Sequence, residues 1–259
     1  MCRIAAYVGP EISLRRFIEE PSHSLVEQAW KPRELLYGTA NADGYGVGWH
    51  DPQGRPAVYT NPLPIWSDVN LPHLGRSLHR PLWLAIVRSA TAGFPVNQAN
   101  TPPFADERLL YAHNGFVHDF GTRLRPLICR YLAPEIAADI RGNTDSEYLF
   151  ALLRHLAAGD PGRPLEEVLG EFFALLQDWV EERPALLNVA LSDGHRVYAA
   201  RHAFNHACPS LYYTTDDDLF PDGQVTASEP LTDGGFWQPV PEHHLLILGA
   251  DEPPRLLGL

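Results

Sequence analysis

The chain has 259 residues, of which 45% are hydrophobic and 20% are charged, a balance typical of a globular protein with a sizeable core. Its formal net charge of −12 argues against nucleic acid or an anionic membrane as a partner, because either would need a basic face. Three cysteines do not make a disulfide framework, and the sequence shows neither a membrane-spanning run nor a signal-peptide core, so we expect a cytoplasmic protein.

The first half of the chain predicts strands joined by short turns. Ser13 can cap a short helix that ends near Glu20. The glycines of NADGYGVGW (41–49) suit a turn that continues into a strand, where another backbone or a ligand comes close. The predicted strands of this half are 2–8, the end of 41–49, 56–60, and two apolar runs covered on both faces, 82–87 and 109–112.

The second half predicts long helices followed by an antiparallel β region. Thr144 and Glu147 form a capping box, which starts a helix that runs to about Ala157. Further helices are predicted over 119–132 and 164–182, and strands over 186–191, 196–200, 211–214 and 244–248. Strands at both ends with helices between them favour an α+β layered architecture, and the lack of a linker favours one domain over residues 1–259.

Cys2 is the first candidate for catalysis, because it directly follows the initiator Met1. Removal of Met1 would leave a thiol and a free α-amine on one residue, with reference pKa values of about 8.5 and about 7.7–8.0. Such a pair combines a nucleophile with its own base. The alternative is that Cys2 is a small hydrophobic residue of the first buried strand.

Three further polar groups stand where predicted strands end or a helix begins. Arg88 follows the apolar run at 82–87 and can bind a carboxylate through two hydrogen bonds, or can simply be the first exposed residue after a strand. Asn114 and Gly115 can form a hairpin turn, or an oxyanion hole from the amide of Asn114 and the backbone N–H of Gly115. Asp145 suits the start of a helix, or recognition of an ammonium group.

Other constellations in the sequence are weaker. His202, His206 and Cys208 are spaced like metal ligands but have no convincing fourth ligand. A thiol hydrolase that uses Cys129 or Cys208 with a histidine is a further alternative. The sequence contains neither a Gly-x-Ser-x-Gly elbow nor a phosphate-binding glycine loop, which disfavours a serine hydrolase or a nucleotide enzyme.

Taken in order, these segments resemble the class II glutamine amidotransferase domain of the N-terminal nucleophile hydrolase superfamily. The resemblance depends on five sequence blocks, none of which is specific to this family alone, although all five in this order are. The blocks are Met-Cys at the start, NADGYGVGW at 41–49, VRSATAG at 87–93, AHNG at 112–115 and NTDSE at 143–147. The resemblance implies a four-layer αββα sandwich with two stacked antiparallel sheets.

The resemblance also implies roles for individual residues. Cys2 would be the nucleophile, and Asn114 and Gly115 would form the oxyanion hole. Arg88 would hold the α-carboxylate of a glutamyl group, and Asp145 its α-ammonium group.

The rim of the implied pocket departs from the family pattern. Thr91 matches a threonine that often contacts substrate in the family, where it is commonly followed by histidine; here it is followed by Ala92. The family arginine is commonly followed by an aromatic residue, and here Ser89 follows Arg88. Both changes imply an altered rim around the γ-substituent of the substrate.

Within this family the chain is most similar to a small stand-alone branch that includes γ-glutamyl amidohydrolases of ergothioneine biosynthesis. The implied activity is hydrolysis of a γ-glutamyl amide through a thioester, most specifically γ-glutamyl-hercynylcysteine sulfoxide, with no metal or organic cofactor. Two alternatives stay open. One is a glutaminase subunit that supplies ammonia to a partner synthase, and the other is a silent glutamyl-binding protein in which Met1 is retained.

Overall fold

The computed structural model describes residues 1–91 and 93–259, and their strands account for most of the fold. The strands are β1 (Arg3–Ser13), β2 (Tyr45–His50), β3 (Pro56–Asn61), β4 (His79–Val87), β5 (Phe104–Ala105), β6 (Leu110–Val117), β7 (Ala185–Ser192), β8 (Arg196–Arg201), β9 (Ala203–Phe204), β10 (Tyr212–Thr214), β11 (Gln224–Ala227), β12 (Gln238–Pro239), β13 (His244–Gly249) and β14 (Glu252–Gly258).

The helices are concentrated in two stretches, near the N-terminus and in the middle of the chain. They are α1 (Leu14–Ile18), α2 (Leu25–Trp30), α3 (Leu71–Ser77), α4 (Arg125–Tyr131), α5 (Pro134–Ala138), α6 (Asp145–Gly159) and α7 (Leu165–Val180). Short 3₁₀ turns occupy Ile65–Ser67 and Gln98–Asn100, and a π-helical turn spans Phe120–Leu124. Among the residues described, no helix has the length and apolar character needed to cross a bilayer.

The strands form two antiparallel sheets. The order of the first sheet is β12-β10-β11-β1-β4-β2-β3, and the order of the second is β14-β13-β8-β7-β6-β5, with β9 paired to β7. Strand β1 therefore lies inside the first sheet, between β11 and β4. This position buries the start of the chain against neighbours from both halves of the sequence.

Three apolar clusters show that the sheets are stacked between two helical layers. The middle cluster joins alternate residues of β1 and β4, such as Ile4 and Leu84, to residues of the second sheet such as Ala112 and Leu246. A second cluster packs the opposite face of the first sheet against α1 to α3, and a third packs the second sheet against α4, α6 and α7. The predicted α+β, four-layer αββα architecture is confirmed.

The structure corrects two local predictions. Strand β6 does not end at Ala112 but continues to Val117, so Asn114 and Gly115 lie inside a strand and do not form a hairpin turn. The capping box is only half formed. The Thr144 hydroxyl accepts from Glu147 N at 3.3 Å, whereas the Glu147 carboxylate accepts from the backbone N–H groups of residues 141 and 142.

Several short elements were not predicted, because they lack a periodic apolar pattern of their own. These elements are α2, α3 and α5, and the strands β5, β9, β11, β12 and β14.

Candidate active site

The structure brings five of the six predicted site residues to one pocket, at the end of β4 and the start of α6. The pocket has a volume of about 30 Å³, which leaves room only for water. Its lining comprises Cys2, Arg88, Ser89, Thr91, Phe94, Asn100, Pro102, His113, Gly115, Thr144, Asp145 and Ser146. Ala92 falls outside the described residues, so the rim change expected there has no structural description.

Cys2 lies just before β1 and is partly buried at the pocket wall. Its Sγ is 3.8 Å from the carbonyl oxygen of Ser89, which follows directly after Arg88. In this form Met1 precedes it, and the Met1 amine donates to the Tyr37 carbonyl at 2.8 Å. Burial lowers the pKa of the Met1 amine. The sulfur is thus in the pocket, while the nitrogen of Cys2 is still engaged in a peptide bond.

Asn114 lies behind the pocket wall, fully buried between the two sheets. Its Nδ2 donates to the Ser228 hydroxyl at 3.4 Å, a distance at the long end of the hydrogen-bonding range. The same hydroxyl accepts from Ile4 N at 3.0 Å, so Asn114 is linked to β1 two residues beyond Cys2. Within the part of the chain described, Asn114 Oδ1 has no hydrogen-bond partner.

Gly115 lines the pocket itself, and the backbone around it leaves no room for a side chain. A Cβ at this position would overlap the carbonyl oxygen of Leu186 on β7. That oxygen also lies 2.8 Å from His113 Nε2, while His113 Nδ1 lies 3.0 Å from the Ser146 hydroxyl. The close approach of β6 and β7 therefore requires glycine here.

Arg88 is the cationic group of the pocket and is only 4% exposed. Its Nη1 donates to the Asp43 carbonyl at 3.3 Å, and the Asp43 carboxylate accepts from Ala90 N at 2.8 Å. Burial lowers the pKa of Arg88, while the negative charges of Cys2, Asp43 and Asp145 oppose that shift. Asp43 lies inside the NADGYGVGW block, but the sequence did not indicate its contacts with Arg88 and Ala90.

Asp145 is the first residue of α6 and is 4% exposed. Its two carboxylate oxygens accept from Val117 N at 3.0 Å and from Ser146 N at 2.8 Å. These bonds join the start of α6 to the end of β6 and hold the carboxylate at the pocket. The pocket therefore presents a buried cation and a buried anion to a ligand.

A buried ionic network contacts the backbone of Cys2. The sequence patterns did not indicate it. Arg3 Nε donates to the Cys2 carbonyl at 2.7 Å, and Arg3 Nη1 donates to Glu229 Oε1 at 3.0 Å. Glu229 also lies 2.7 Å from His23 Nε2 and accepts from two backbone N–H groups of residues 33–34. Burial raises the pKa of Glu229, but the hydrogen bonds outweigh it and bring that pKa to about 2.

The histidine and cysteine cluster of the sequence is divided in the structure. His206 lies 2.9 Å from the Tyr37 hydroxyl, and His202 Nδ1 lies 3.3 Å from His243 Nδ1. Burial and the neighbouring His243 lower the pKa of His202 to about 4. Among the residues described, the group with ligand atoms within 4.8 Å of one another is instead Cys208, Glu242 and His243.

A larger cavity, of about 810 Å³, lies on the other side of segment 97–103. Three of its charged side chains form ion pairs with one another: Arg154 binds Asp106 at 3.3 Å and Asp139 at 2.7 Å. None of the six predicted site residues lines it. The chemistry is therefore concentrated in the smaller pocket at Cys2.

Comparison with known proteins matches residues 22–253 to the family described as glutamine amidotransferases class-II. The chain is 30% identical to a γ-glutamyl-hercynylcysteine sulfoxide hydrolase of Mycolicibacterium smegmatis, over 95% of each chain. It is 31% identical to the protein of that name from Mycobacterium tuberculosis, over 95% of this chain and 92% of the relative. It is 28% identical to a probable glutamine amidotransferase of Saccharomyces cerevisiae, over 96% of this chain and 82% of the relative.

Solved structures show the same fold. A glutamine aminotransferase class-II domain protein from Silicibacter pomeroyi superposes with a TM-score of 0.70 at 28% identity, over the whole of both chains. The glutamine phosphoribosylpyrophosphate amidotransferase of Bacillus subtilis superposes with a TM-score of 0.67 at 15% identity, over 99% of this chain and 49% of that one. The chain is therefore an enzyme that belongs to the class-II glutamine amidotransferases.

Proposed function

We propose that the protein hydrolyses a γ-glutamyl amide through Cys2 as an N-terminal nucleophile. The observation that carries this proposal is the content of one pocket: the Cys2 thiol, the buried Arg88 guanidinium, the buried Asp145 carboxylate and Gly115. The proposal requires removal of Met1, because the α-amine of Cys2 is its base.

Arg88 and Asp145 bind the amino-acid end of the substrate. A glutamyl group carries an α-carboxylate and an α-ammonium group, and these charges complement a guanidinium and a carboxylate. Because both protein groups are buried and held by backbone contacts, they fix the γ-carbonyl over the Cys2 sulfur. Such orientation lowers the barrier by removing freedom of motion before the reaction. Thr91 contacts the substrate at the exposed rim.

The free amine of Cys2 takes the thiol proton, and the sulfur attacks the γ-carbonyl carbon. The Gly115 N–H donates to the oxyanion that develops, together with the Asn114 amide, which in this structure lies behind the pocket wall and donates to the Ser228 hydroxyl. Removing one such donor typically lowers kcat about 10²–10³-fold. The C–N bond breaks as the amine returns its proton to the leaving nitrogen, which produces a γ-glutamyl thioester. Water then cleaves the thioester and releases glutamate.

The substrate that we propose is γ-glutamyl-hercynylcysteine sulfoxide, and the products are hercynylcysteine sulfoxide and glutamate. The names of two relatives support it, at 30% and 31% identity over 95% of this chain. Its leaving group carries a trimethylammonium group, which an aromatic face or a carboxylate could hold, but three such residues lie outside the lining of the pocket at Cys2. Tyr45 and Trp49 pack in the outer helical layer of the first sheet, and Asp68 accepts from Tyr45.

A glutaminase that supplies ammonia to a partner synthase is the second candidate function. The yeast relative named a probable glutamine amidotransferase supports it, as does the Bacillus subtilis enzyme, of which this chain covers 49%. The chemistry at Cys2 would be identical, and only the fate of the leaving nitrogen would differ.

One experiment separates these possibilities. Purified protein, checked by intact mass for loss of Met1, is assayed with glutamine, γ-glutamylcysteine and γ-glutamyl-hercynylcysteine sulfoxide. We expect turnover of the sulfoxide at least 100-fold above that of glutamine, its loss in Cys2→Ala, and its retention in Cys129→Ser, which changes an exposed cysteine.

The other outcomes are equally informative. Equal, weak rates on all three substrates would refute the proposed substrate but would leave the proposed reaction, hydrolysis of a γ-glutamyl amide, unaffected. Glutamine turnover that rises when a synthase is added would favour the glutaminase. A chain that retains Met1, with no labelling of Cys2 by a glutamine-like diazoketone, would refute the enzymatic mechanism.

A further inference from the structure

Three side chains with metal-ligating atoms converge outside the pocket at Cys2. Cys208 Sγ, a carboxylate oxygen of Glu242 and a ring nitrogen of His243 all lie within 4.8 Å of one another. These three are not among the residues that line the pocket at Cys2, and the proposed mechanism does not use them. Cys208 was a candidate ligand in the sequence, and the fold gives it two partners that the sequence spacing did not indicate.

Arg201, in strand β8, holds together the two segments that carry these ligands. Cys208 lies in the loop after β9, and Glu242 and His243 directly precede β13. Arg201 Nε donates to the carbonyl of residue 209 at 2.9 Å, and its Nη1 donates to the carbonyl of residue 240 at 2.8 Å. The Arg201 carbonyl in turn accepts from His243 N at 2.8 Å. The ligands therefore converge because hydrogen bonds fix the backbone on both sides.

The Glu242 carboxylate can bind a metal and keep its contact with Arg201. Its Oε1 accepts from Arg201 Nη2 at 3.4 Å, and its side chain is 50% exposed. A carboxylate has two oxygens that each accept more than one bond, so the arginine contact leaves capacity for a metal. Carboxylates that bind metals are commonly hydrogen-bonded to a second protein group, as Glu242 is to Arg201.

His202 orients the ring of His243. His202 is 6% exposed, and its Nδ1 lies 3.3 Å from His243 Nδ1. With the shared proton on His243, the Nδ1–H donates to His202 and the Nε2 of His243 presents a lone pair. Histidine ligands usually donate their other ring N–H to a fixed acceptor, which sets the tautomer and the orientation of the ring.

The ligand set determines which metal the site would bind. A thiolate and an imidazole favour zinc and similar transition metals, whereas magnesium and calcium prefer oxygen ligands alone. Zinc bonds of about 2.0–2.3 Å place ligand atoms roughly 3–4 Å apart in a tetrahedral site, so atoms within 4.8 Å need to close by only about 1 Å. Three protein ligands leave the fourth position to water.

We propose that Cys208, Glu242 and His243 bind one Zn²⁺ ion, with water as the fourth ligand, and that His202 positions His243. Binding releases the Cys208 thiol proton to solvent, because the thiolate is the ligand. The ion joins the loop after β9 to the segment before β13 and stabilises the folded chain. The proposal is independent of the proposed function, because none of these residues binds or cleaves the γ-glutamyl amide.

Metal titration of a Cys2→Ala protein tests the site without interference from the N-terminus. Once Met1 is removed, the thiol and the α-amine of Cys2 can themselves chelate zinc, and alanine eliminates that pair. Intact mass verifies the loss of Met1, which packs in the same apolar cluster as Cys208. We expect the metal-stripped protein to bind one equivalent of Zn²⁺ with a Kd of about 1 μM or below. Co²⁺ should bind with the same stoichiometry and give the charge-transfer absorption of a cobalt–thiolate bond.

Two ligand variants and their matched controls are made in this Cys2→Ala background. Cys208→Ser should lower zinc affinity at least about 100-fold and abolish the cobalt–thiolate absorption, whereas Cys129→Ser, at an exposed cysteine, should alter neither. Glu242→Gln should lower zinc affinity about 10–100-fold, and it decides the matter if Cys208→Ser does not fold. Glu252→Gln, which changes another carboxylate that pairs with an arginine, should leave the affinity unchanged.

His202→Phe tests the positioning role. The ring of His202 packs against the rings of Phe173 and Phe204, with centroids 4.9 and 4.5 Å away, so a phenylalanine fits the same surroundings. We expect zinc affinity to fall about 10–100-fold while the cobalt–thiolate absorption and the urea unfolding of the metal-free protein stay as they were. A merely structural role would lower that stability and leave the affinity unchanged.

The proposal is overturned if the Cys2→Ala protein binds no zinc or if Cys208→Ser binds it equally well. Loss of binding in Cys129→Ser would also overturn it, because the ion would then lie on the exposed cysteine. Zinc should raise the thermal unfolding midpoint of the Cys2→Ala protein but not that of its Cys208→Ser derivative, and an equal rise in both would place the ion elsewhere. Unchanged affinity in His202→Phe would refute the positioning role alone.

Discussion

Neutralising Glu229 tests whether the buried network behind Cys2 holds this proposed nucleophile in place. The side chains of Arg3 and Glu229 are 0% and 1% exposed, and their ion pair measures 3.0 Å. In Glu229→Gln the Arg3 guanidinium keeps its charge but loses the carboxylate that balances it. Since Arg3 also donates to the Cys2 carbonyl at 2.7 Å, we expect any shift of Arg3 to move Cys2.

The expected magnitude follows from burial. Leaving one partner of a buried ion pair unbalanced costs about 3–5 kcal/mol. Although burial raises it, the pKa of the Glu229 carboxyl falls from 4.5 to about 2, mainly through hydrogen bonds from His23 and the backbone of residues 33–34 and then through the Arg3 charge. At about 1.4 kcal/mol per unit, these contacts together contribute about 3 kcal/mol. For catalysis, a shift of a reacting group by about 1 Å can lower the rate about 10²-fold.

Urea unfolding and γ-glutamyl amide kinetics measure the two effects on the same protein. Asp233→Asn is the matched control, because it removes a carboxylate that pairs with Arg33 at the surface, where the side chains are 68% and 56% exposed. We expect almost no loss of stability there, because water and salt screen an exposed ion pair. A double variant, Arg3→Met with Glu229→Leu, should recover only part of the stability, because it removes both charges but leaves the backbone N–H groups of residues 33–34 without their acceptor. It should not recover kcat, because it also removes the donor to Cys2.

A Glu229→Gln protein that unfolds within about 1 kcal/mol of the parent and keeps its kcat would refute both the stabilising and the positioning role of Glu229. Recovery of kcat in the double variant would refute the positioning role alone, since neither replacement can donate to the Cys2 carbonyl.

Three further predictions concern the strand, the cation and acid stability. Gly115→Ala should lower the free energy of unfolding in urea by at least about 2 kcal/mol, because the new Cβ overlaps a backbone carbonyl oxygen. In the control Gly121→Ala the new Cβ meets no atom within 4 Å, so the free energy should change by less than about 0.5 kcal/mol. Equal effects of the two substitutions would contradict this prediction. Arg88→Lys should raise KM for glutamine about 10–100-fold and lower kcat by a smaller factor, because lysine cannot form bidentate hydrogen bonds with the α-carboxylate. An unchanged KM would show that Arg88 does not bind the substrate. The folded-state pKa of Glu229 lies below its ordinary value, so its contribution is complete above about pH 4.5 and is lost as pH falls toward 2. Unfolding measured across that range should show a steeper acid dependence in the parent than in Glu229→Gln, and parallel curves would contradict the assignment.

The long periodic segments were predictable because their patterns are local. The apolar run before Arg88 became β4, and the helix capped by Thr144 became α6. Strand β6 was cut short because Asn-Gly usually forms a turn, and only pairing with β7 keeps Asn114 and Gly115 extended. Short strands such as β9 depend entirely on their neighbours and carry no signal of their own.

The sequence by itself determined the fold class, through five spaced blocks, and it placed a thiol directly after Met1, because both depend on residue order. Only the tertiary structure decided what holds Cys2 and what lies beside it. Arg3 and Glu229 are 226 positions apart, and Met1 packs on residues near 186 and 203. Such contacts arise when sheets stack and buried charges must find partners, and no local pattern in the chain encodes them.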